Sequence, residues 1–184
     1  MIEDIKKEMN QRMGKSLEAL VHAFGRIRTG RANPAILDGI VVPYYGADTP
    51  LNQVASISVE DARTLLIAPW DRKLVGEIEK AILKSDLGIT PKTSDVIRLP
   101  LPPLSEENRR DLARHAKQEA EQARVAIRNI RRDAIGDVRD LVKEKEISED
   151  DARRAEEEIQ RMTDKRISEI DHALTEKESD LLKI

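Results

Sequence analysis

The chain of 184 residues has no cysteine and only four aromatic side chains, Phe24, Tyr44, Tyr45 and Trp70. The missing thiols remove disulfides, thiolate zinc sites and cysteine nucleophiles together, and they fit a reducing compartment. The scarcity of aromatics excludes a large aromatic core and a β-sandwich built on aromatic cross-strand pairs. No apolar run approaches the roughly 18 residues of a membrane span, and the N-terminus alternates charges where a signal peptide would be apolar. Neither a membrane span nor a leader is expected. What the chain has instead is charge, 36% of its residues, with a mean hydropathy of −0.54. That composition suits long aliphatic helices with charged outer faces.

The net charge of −3 conceals a segregation. Residues 144–180 hold fourteen Asp/Glu against seven Lys/Arg, whereas residues 109–132 hold eight Lys/Arg against three Asp/Glu. A local basic stretch within an acidic chain points to an anionic partner more directly than the overall pI does.

Ile2, Ile5, Met9, Met13, Leu17, Leu20, Phe24 and Ile27 recur at steps of three or four, which predicts one helix over the first thirty residues, ended by Gly30 and Asn33-Pro34. All eight prolines then fall between positions 34 and 103. Within that segment the pattern predicts a strand over 39–46 with Pro43 at a sheet edge, and a second where Ala55, Ile57 and Val59 alternate with Ser56 and Ser58. Glu60-Asp61 reads as a turn and 64–68 as a strand stopped by Pro69. Asp71 would cap a short helix with Leu74, Ile78, Ala81 and Ile82 on its apolar face, ended by Gly88, and 96–99 make a last strand. Residues 99–103 read as a stiff polyproline-like linker. Ser105 caps a helix expected to run to about Glu146, and Ser148 with Asp151 opens a final helix ending close to Leu182. The expected fold is α+β: an elongated three-helix bundle of residues 1–30 and 104–184, with a small β/α/β domain of residues 31–103 inserted. Two connections, near 29–31 and 100–104, would form a hinge from Thr29, Gly30, Arg31, Pro102 and Pro103. Trp70 has no functional reading beyond partial burial against the sheet.

One constellation stands out. In the second long helix Leu112, Ala116, Ala120, Ala123, Ile127, Ile130, Ala134, Val138 and Leu141 share an arc of about 80° at 100° per residue. Arg110, Arg114, Lys117, Arg124, Arg128 and Arg131 occupy a second arc of about 100°, with Arg132 at its margin and only Glu121 interrupting. Like charges at this spacing repel by a few tenths of a kcal/mol per pair. Contact with several RNA or DNA phosphates would offset that repulsion, and the planar Arg fork suits phosphate. Arg28 and Arg31 add two such groups near the end of the first helix. A solvated face, or ion pairs with the acidic third helix, is the alternative. With no base-reading motif and no aromatic stacking platform, recognition would be of shape and backbone.

His22, His115 and His172 lie on three different helices without ligand spacing, so no metal site is expected. There is no Walker loop, and the many carboxylates form no catalytic constellation. A nucleic-acid-binding factor and a coiled-coil scaffold are the competing readings; an enzyme has no polar constellation to support it.

Several segments together narrow the choice: Ile27-Arg-Thr-Gly-Arg-Ala32, Tyr44-Tyr-Gly46, Asp86-Leu-Gly88, Leu99-Pro-Leu-Pro-Pro-Leu104, Glu121-Gln-Ala-Arg-Val-Ala-Ile-Arg-Asn-Ile-Arg-Arg-Asp-Ala134 and Lys145-Glu-Ile-Ser-Glu-Asp-Asp151. In this order, along the whole chain, they resemble the bacterial ribosome recycling factor family. The resemblance implies an L-shaped molecule that binds the ribosome after termination. With elongation factor G and GTP hydrolysed by that partner, it separates the subunits and frees messenger RNA and deacylated transfer RNA. It implies a cytoplasmic factor that is no enzyme and needs no cofactor; a monomer is expected because a bundle that buries its stripes internally needs no partner chain. The bundle would lie on large-subunit ribosomal RNA near the peptidyl-transferase centre and the intersubunit bridges. Arg128, Arg131 and Arg132 match the family motif for that contact, Arg131 foremost, with Arg28 and Arg31 beside them. The inserted domain would meet elongation factor G. The chain departs from the family pattern between Pro91 and Ile97, where members usually carry a Gly-containing turn.

Overall fold

A computed structural model describes residues 1–183. Five helices and six strands follow one another: α1 (Ile2–Arg26), β1 (Val41–Tyr44), β2 (Ala47–Pro50), α2 (Leu51–Val54), β3 (Ala55–Asp61), β4 (Thr64–Pro69), α3 (Val75–Lys84), β5 (Lys92–Thr93), β6 (Ile97–Pro100), α4 (Glu106–Lys143) and α5 (Glu149–Leu182). Short 3-10 turns at Pro34–Leu37 and Arg72–Leu74 complete the set. By packing, the chain divides into two units. One takes Met1–Phe24 and Ala113–Ser179; the other takes Gly25–Leu112 and the chain end from Asp180.

The first unit is α-helical. Its core is built from Met9, Met13, Leu20 and Phe24 of α1, Ala116, Ala120, Ala123, Ile127, Ile130, Ala134 and Val138 of α4, and Ala152, Ala155, Ile159 and Ile170 of α5. The predicted stripe of α4 is therefore the buried one, with Leu112 and Leu141 half-buried at its ends. Alanine at four of these positions lets neighbouring helix backbones approach closely. The buried hydroxyl of Thr163 donates back to the Ile159 carbonyl at 2.8 Å, so no buried donor is left there.

α4 stops at Lys143, three residues short of the expected end. Lys145 is left-handed at φ +59°, its amide donates to Val142 O, and the Glu146 amide reaches Leu141 O. This pair of bonds is the Schellman closure, with lysine at the position glycine usually takes. The Ser148 hydroxyl then accepts from the Asp151 amide at 3.1 Å and starts α5 as expected. α1 likewise ends earlier than predicted, at Arg26, so Gly30 and Asn33-Pro34 lie beyond it in the connection.

The second unit is a small α+β assembly. Strands β3-β4-β6-β5 form an antiparallel sheet, and β1 and β2 make a separate hairpin. Val42, Leu51, Leu65, Ile67, Ile78, Ile82, Ile97 and Leu99 are fully buried between these elements and α3. Asp71 accepts from the Lys73 amide at 3.0 Å, capping the 3-10 turn that leads into α3. α3 ends at Lys84, before Gly88, which sits at φ +64° in the following loop.

Several expectations are corrected here. The hairpin return β2 and the two-residue β5 were not visible in the pattern, because Ala47–Pro50 is polar and Lys92–Thr93 too short to alternate. The Tyr45-Gly46 turn has φ of +48° and +81°, the mirror-image geometry that matches strand twist. Glu60 and Asp61 belong to β3, and the reversal comes at Ala62-Arg63, where the Asp61 carboxylate accepts from the Arg63 amide at 2.9 Å. The expected linker is partly sheet: Leu99 and Pro100 close β6, and buried Leu101 donates its amide to Arg63 O at 2.7 Å. Between Pro91 and Ile97 the chain makes a tight reversal, with the Ser94 amide on Val96 O at 2.9 Å. Trp70 is 70% exposed rather than packed on the sheet. Together with Tyr45, 87% exposed, it supplies surface aromatics that the composition had seemed to deny.

Candidate nucleic-acid interface

The helical periodicity of α4 places its cations as expected, beside the buried stripe and on the outside. Their partners divide them. Arg124 is 20% exposed; its guanidinium holds Asp171 of α5 at 2.6 Å and Glu121 at 3.1 Å. Those two carboxylates raise its pKa, Asp171 most, while the bond from Arg124 holds Glu121 below the carboxylate range. For this residue the alternative reading, ion pairing with the acidic third helix, is what the structure contains. Arg128 lies 3.4 Å from the other oxygen of Glu121 and is half-buried. A single acidic interruption of the stripe thus screens two arginines.

Arg131 is held differently. Its Nη1 donates to the neutral Gln160 Oε1 at 3.0 Å, and Gln160 in turn donates to Asp164 at 2.8 Å. Its Nε is buried with no hydrogen-bond partner among the described residues. The side chain is therefore oriented by packing and an amide, and no carboxylate among the described residues contacts it. Arg132, Arg114 and Lys117 are exposed. A cluster of this kind offers several guanidinium and ammonium donors suited to phosphate oxygens along one helix face.

Arg110, Arg28 and Arg31 belong to the second unit. Arg110 pairs with Glu106 one turn earlier at 2.9 Å, an exposed pair worth little. Arg28 is half-buried, and burial lowers its pKa. Its Nη2 donates to the carbonyl of Pro102, and its Nε is buried without a partner among the described residues. Arg28 therefore ties together the two segments read as a hinge. Arg31 is exposed, and its amide donates to the Thr29 hydroxyl at 3.3 Å. The contact of Arg28 with Pro102 had no sequence signal, since a carbonyl acceptor is the same at every residue.

Among the described residues no group of three or more His, Asp or Glu is arranged to hold a metal ion, and no helix is long and apolar enough to cross a membrane. His115 and His172 are exposed and each faces a glutamate one turn on, at 3.8 and 3.0 Å.

A helical unit with a guanidinium-rich face is joined to a small β unit. The sequence profile of the ribosome recycling factor family matches residues 20–182, and the chain belongs to that family. Ribosome-recycling factors of Acinetobacter baumannii (strain ATCC 17978) and Hahella chejuensis are each 58% identical to it, with both chains covered completely. A solution structure of the ribosome recycling factor superposes with a TM-score of 0.80 at 40% identity, covering 100% of this chain and 98% of that one. A T. thermophilus ribosome recycling factor, described with E. coli elongation factor G on the E. coli post-termination complex, superposes at 0.70 with 46% identity and complete coverage of both chains.

Proposed function

We propose that the protein binds the post-termination ribosome and, with elongation factor G and GTP, splits it into subunits, releasing messenger RNA and deacylated transfer RNA. The observation that carries the reading is the outward cationic face of α4, in a chain that belongs to the recycling-factor family. It works in the cytoplasm as a non-enzymatic factor: the GTP is hydrolysed by its partner, and its own contribution is binding and displacement.

Arg131, Arg128 and Arg132 carry the contact with large-subunit ribosomal RNA, near the peptidyl-transferase centre and the intersubunit bridges. Arg114 and Lys117 extend that contact along the helix, and Arg28, Arg31 and Arg110 contribute phosphate contacts of their own. Arg124 acts mainly through its bond to Asp171, which fixes the face on which its neighbours stand. The bundle of 1–30 and 104–184 is the anchor, and the 31–103 domain is the lever moved by elongation factor G. Thr29, Gly30, Arg31, Pro102 and Pro103 are the hinge.

The test is light scattering of post-termination ribosomes with elongation factor G and GTP. Wild type should split them, and Arg131→Ala should not. Splitting by both would reduce Arg131 to one phosphate contact among several. No splitting by wild type, beside an active homologous factor, would return the chain to the scaffold reading. A crosslink between the two connecting segments should abolish splitting and spare binding; splitting that survives it removes the lever.

A further inference from the structure

Gln160 of α5 has no part in the recycling reading, yet it sits beside the arginine on which that reading leans most. The arginines of α4 meet α5 at regular intervals. Arg139 donates to Glu156 at 3.1 Å, and Arg124 donates to Asp171 at 2.6 Å. Going back along α4 is thus going forward along α5, so the two helices run antiparallel. Eight positions back from Arg139 stands Arg131, and eight on from Glu156 stands Asp164. Seven more on each helix bring Arg124 and Asp171. Such steps stay on one side of a helix. Arginine therefore faces carboxylate at three rungs, and the middle rung sets Arg131 against Asp164.

The middle rung is built differently from the outer two. Those are closed by direct ion pairs. Arg131 instead donates to Gln160 Oε1 at 3.0 Å, and Gln160 Nε2 donates to Asp164 at 2.8 Å. A guanidinium can only donate and a carboxylate can only accept, so an amide between them has a single orientation. Its oxygen faces Arg131 and its NH2 group faces Asp164. The carboxylate is thereby kept one hydrogen bond away from the arginine. A direct ion pair would compete with phosphate for the guanidinium, whereas a bond to a neutral oxygen fixes the planar fork and leaves its charge unpaired.

We propose that Gln160 is a positioning residue for Arg131: it aims the guanidinium at ribosomal RNA phosphate and insulates it from Asp164. The proposal rests on the recycling reading of Arg131. Gln160 itself touches no RNA in this scheme. Its neutrality and its length are what matter, and each can be removed separately. A carboxylate of the same length would close the middle rung as an ion pair. A side chain too short to intervene would let Arg131 fall onto Asp164 and close the rung directly. Either change engages the charge of Arg131 without altering Arg131.

The test is filter binding of the full chain to large ribosomal subunits over a range of salt, with each substitution made in wild type and in Arg131→Ala. Gln160→Glu should weaken binding about threefold and lower the salt slope by about one. Gln160→Ala should weaken it by about the same factor, and adding Asp164→Asn should return the salt slope to that of wild type. In the Arg131→Ala chain none of these changes should alter binding, and circular dichroism should be the same throughout. In the free chain carrying both Gln160→Ala and Asp164→Asn, the Arg131 Nε–H should lose rigidity. It is identified as the side-chain signal that Arg131→Ala removes, and the loss is read as a fallen heteronuclear Overhauser effect. Gln160→Glu that binds like wild type, while Arg131→Ala binds more weakly, overturns the proposal and leaves the recycling reading standing. Effects that persist in Arg131→Ala also overturn it, because they belong to the charge at position 160 or to the fold. So does an Arg131 Nε–H that stays rigid in the doubly substituted chain. If Arg131→Ala itself binds like wild type, the recycling reading of that arginine falls and the proposal falls with it.

Discussion

The two units solve the same problem of burial with different alphabets. The helical unit fills its interior with alanine, methionine and isoleucine, Phe24 being its one aromatic, and turns guanidinium groups outward. The β unit fills its interior with Leu, Ile and Val, holds every proline, and leaves Tyr45 and Trp70 in solvent. In the first, the face that can meet a partner is charged and follows from helical spacing. In the second, it is aromatic and follows from which strand edge stays uncovered. A partner bound to the former, through many charges, should respond steeply to salt; one bound to the latter should respond less.

Core truncation should divide the units most sharply. Ile127→Ala in α4 and Ile97→Ala in β6 each remove a fully buried branched side chain and should cost about 2–5 kcal/mol. Denaturant unfolding followed by Trp70 fluorescence and by far-ultraviolet circular dichroism reads them separately. Ile127→Ala should move the dichroism transition and Ile97→Ala the fluorescence transition; equal displacement of both signals would merge the two regions into one cooperative block. Next comes Arg131→Ala, expected to weaken binding to large ribosomal subunits about tenfold, or ~1.4 kcal/mol, and to lower the salt slope by about one. Arg124→Ala should cost binding less, because that guanidinium already holds Asp171. Reversal of that order in a filter-binding titration would break the division between oriented and engaged arginines.

A smaller effect concerns the turn after α4. Lys145→Gly places the residue without a Cβ at φ +59° and should stabilise by about 0.5–1 kcal/mol, seen as a raised denaturation midpoint. The smallest effect is on pH dependence. The Lys6 ammonium, 2.5 Å from Glu158, holds that carboxyl below its ordinary 4.5, and Glu158 and Glu3 hold Lys6 above 10.5. The stability from Glu158 is therefore present above about pH 4.5 and lost as pH falls through its lowered pKa. That from Lys6 is present below 10.5 and lost as pH rises through its raised one. Glu158→Gln should flatten the acid limb of a melting-temperature profile; an unchanged limb would show that other carboxylates set it.

The helical unit was largely legible because a period of 3.6 over thirty residues leaves little choice of face. Every α4 position from Ala116 to Val138 on the predicted stripe is buried. The β unit was legible at β1, β3, β4 and β6, whose apolar or alternating runs mark them as strands; β2 and β5 are made by pairing, not by their own side chains. In the candidate interface, spacing revealed which arginines face outward but not what they hold. That Glu121 bridges Arg124 and Arg128 was open to reading at steps of three and seven, whereas the bonds to Asp171 and Gln160 need the third helix in place. The exposure of Trp70 was hidden for the same reason: it depends on what fails to cover a strand.

The alanine row inside α4 sets a rule for how such a chain can change over generations. Ala116 and Ala120 have no exposed surface and no rotamers, so even one added methyl group meets packed neighbours at a cost of about 1–3 kcal/mol. At exposed positions of the same helix, such as Lys117 and Arg132, exchanging one charged residue for another disturbs far less packing. Drift is thus steered outward. The side chains with the least chemistry are the ones least free to vary, and the exposed charged positions are those the fold leaves to selection.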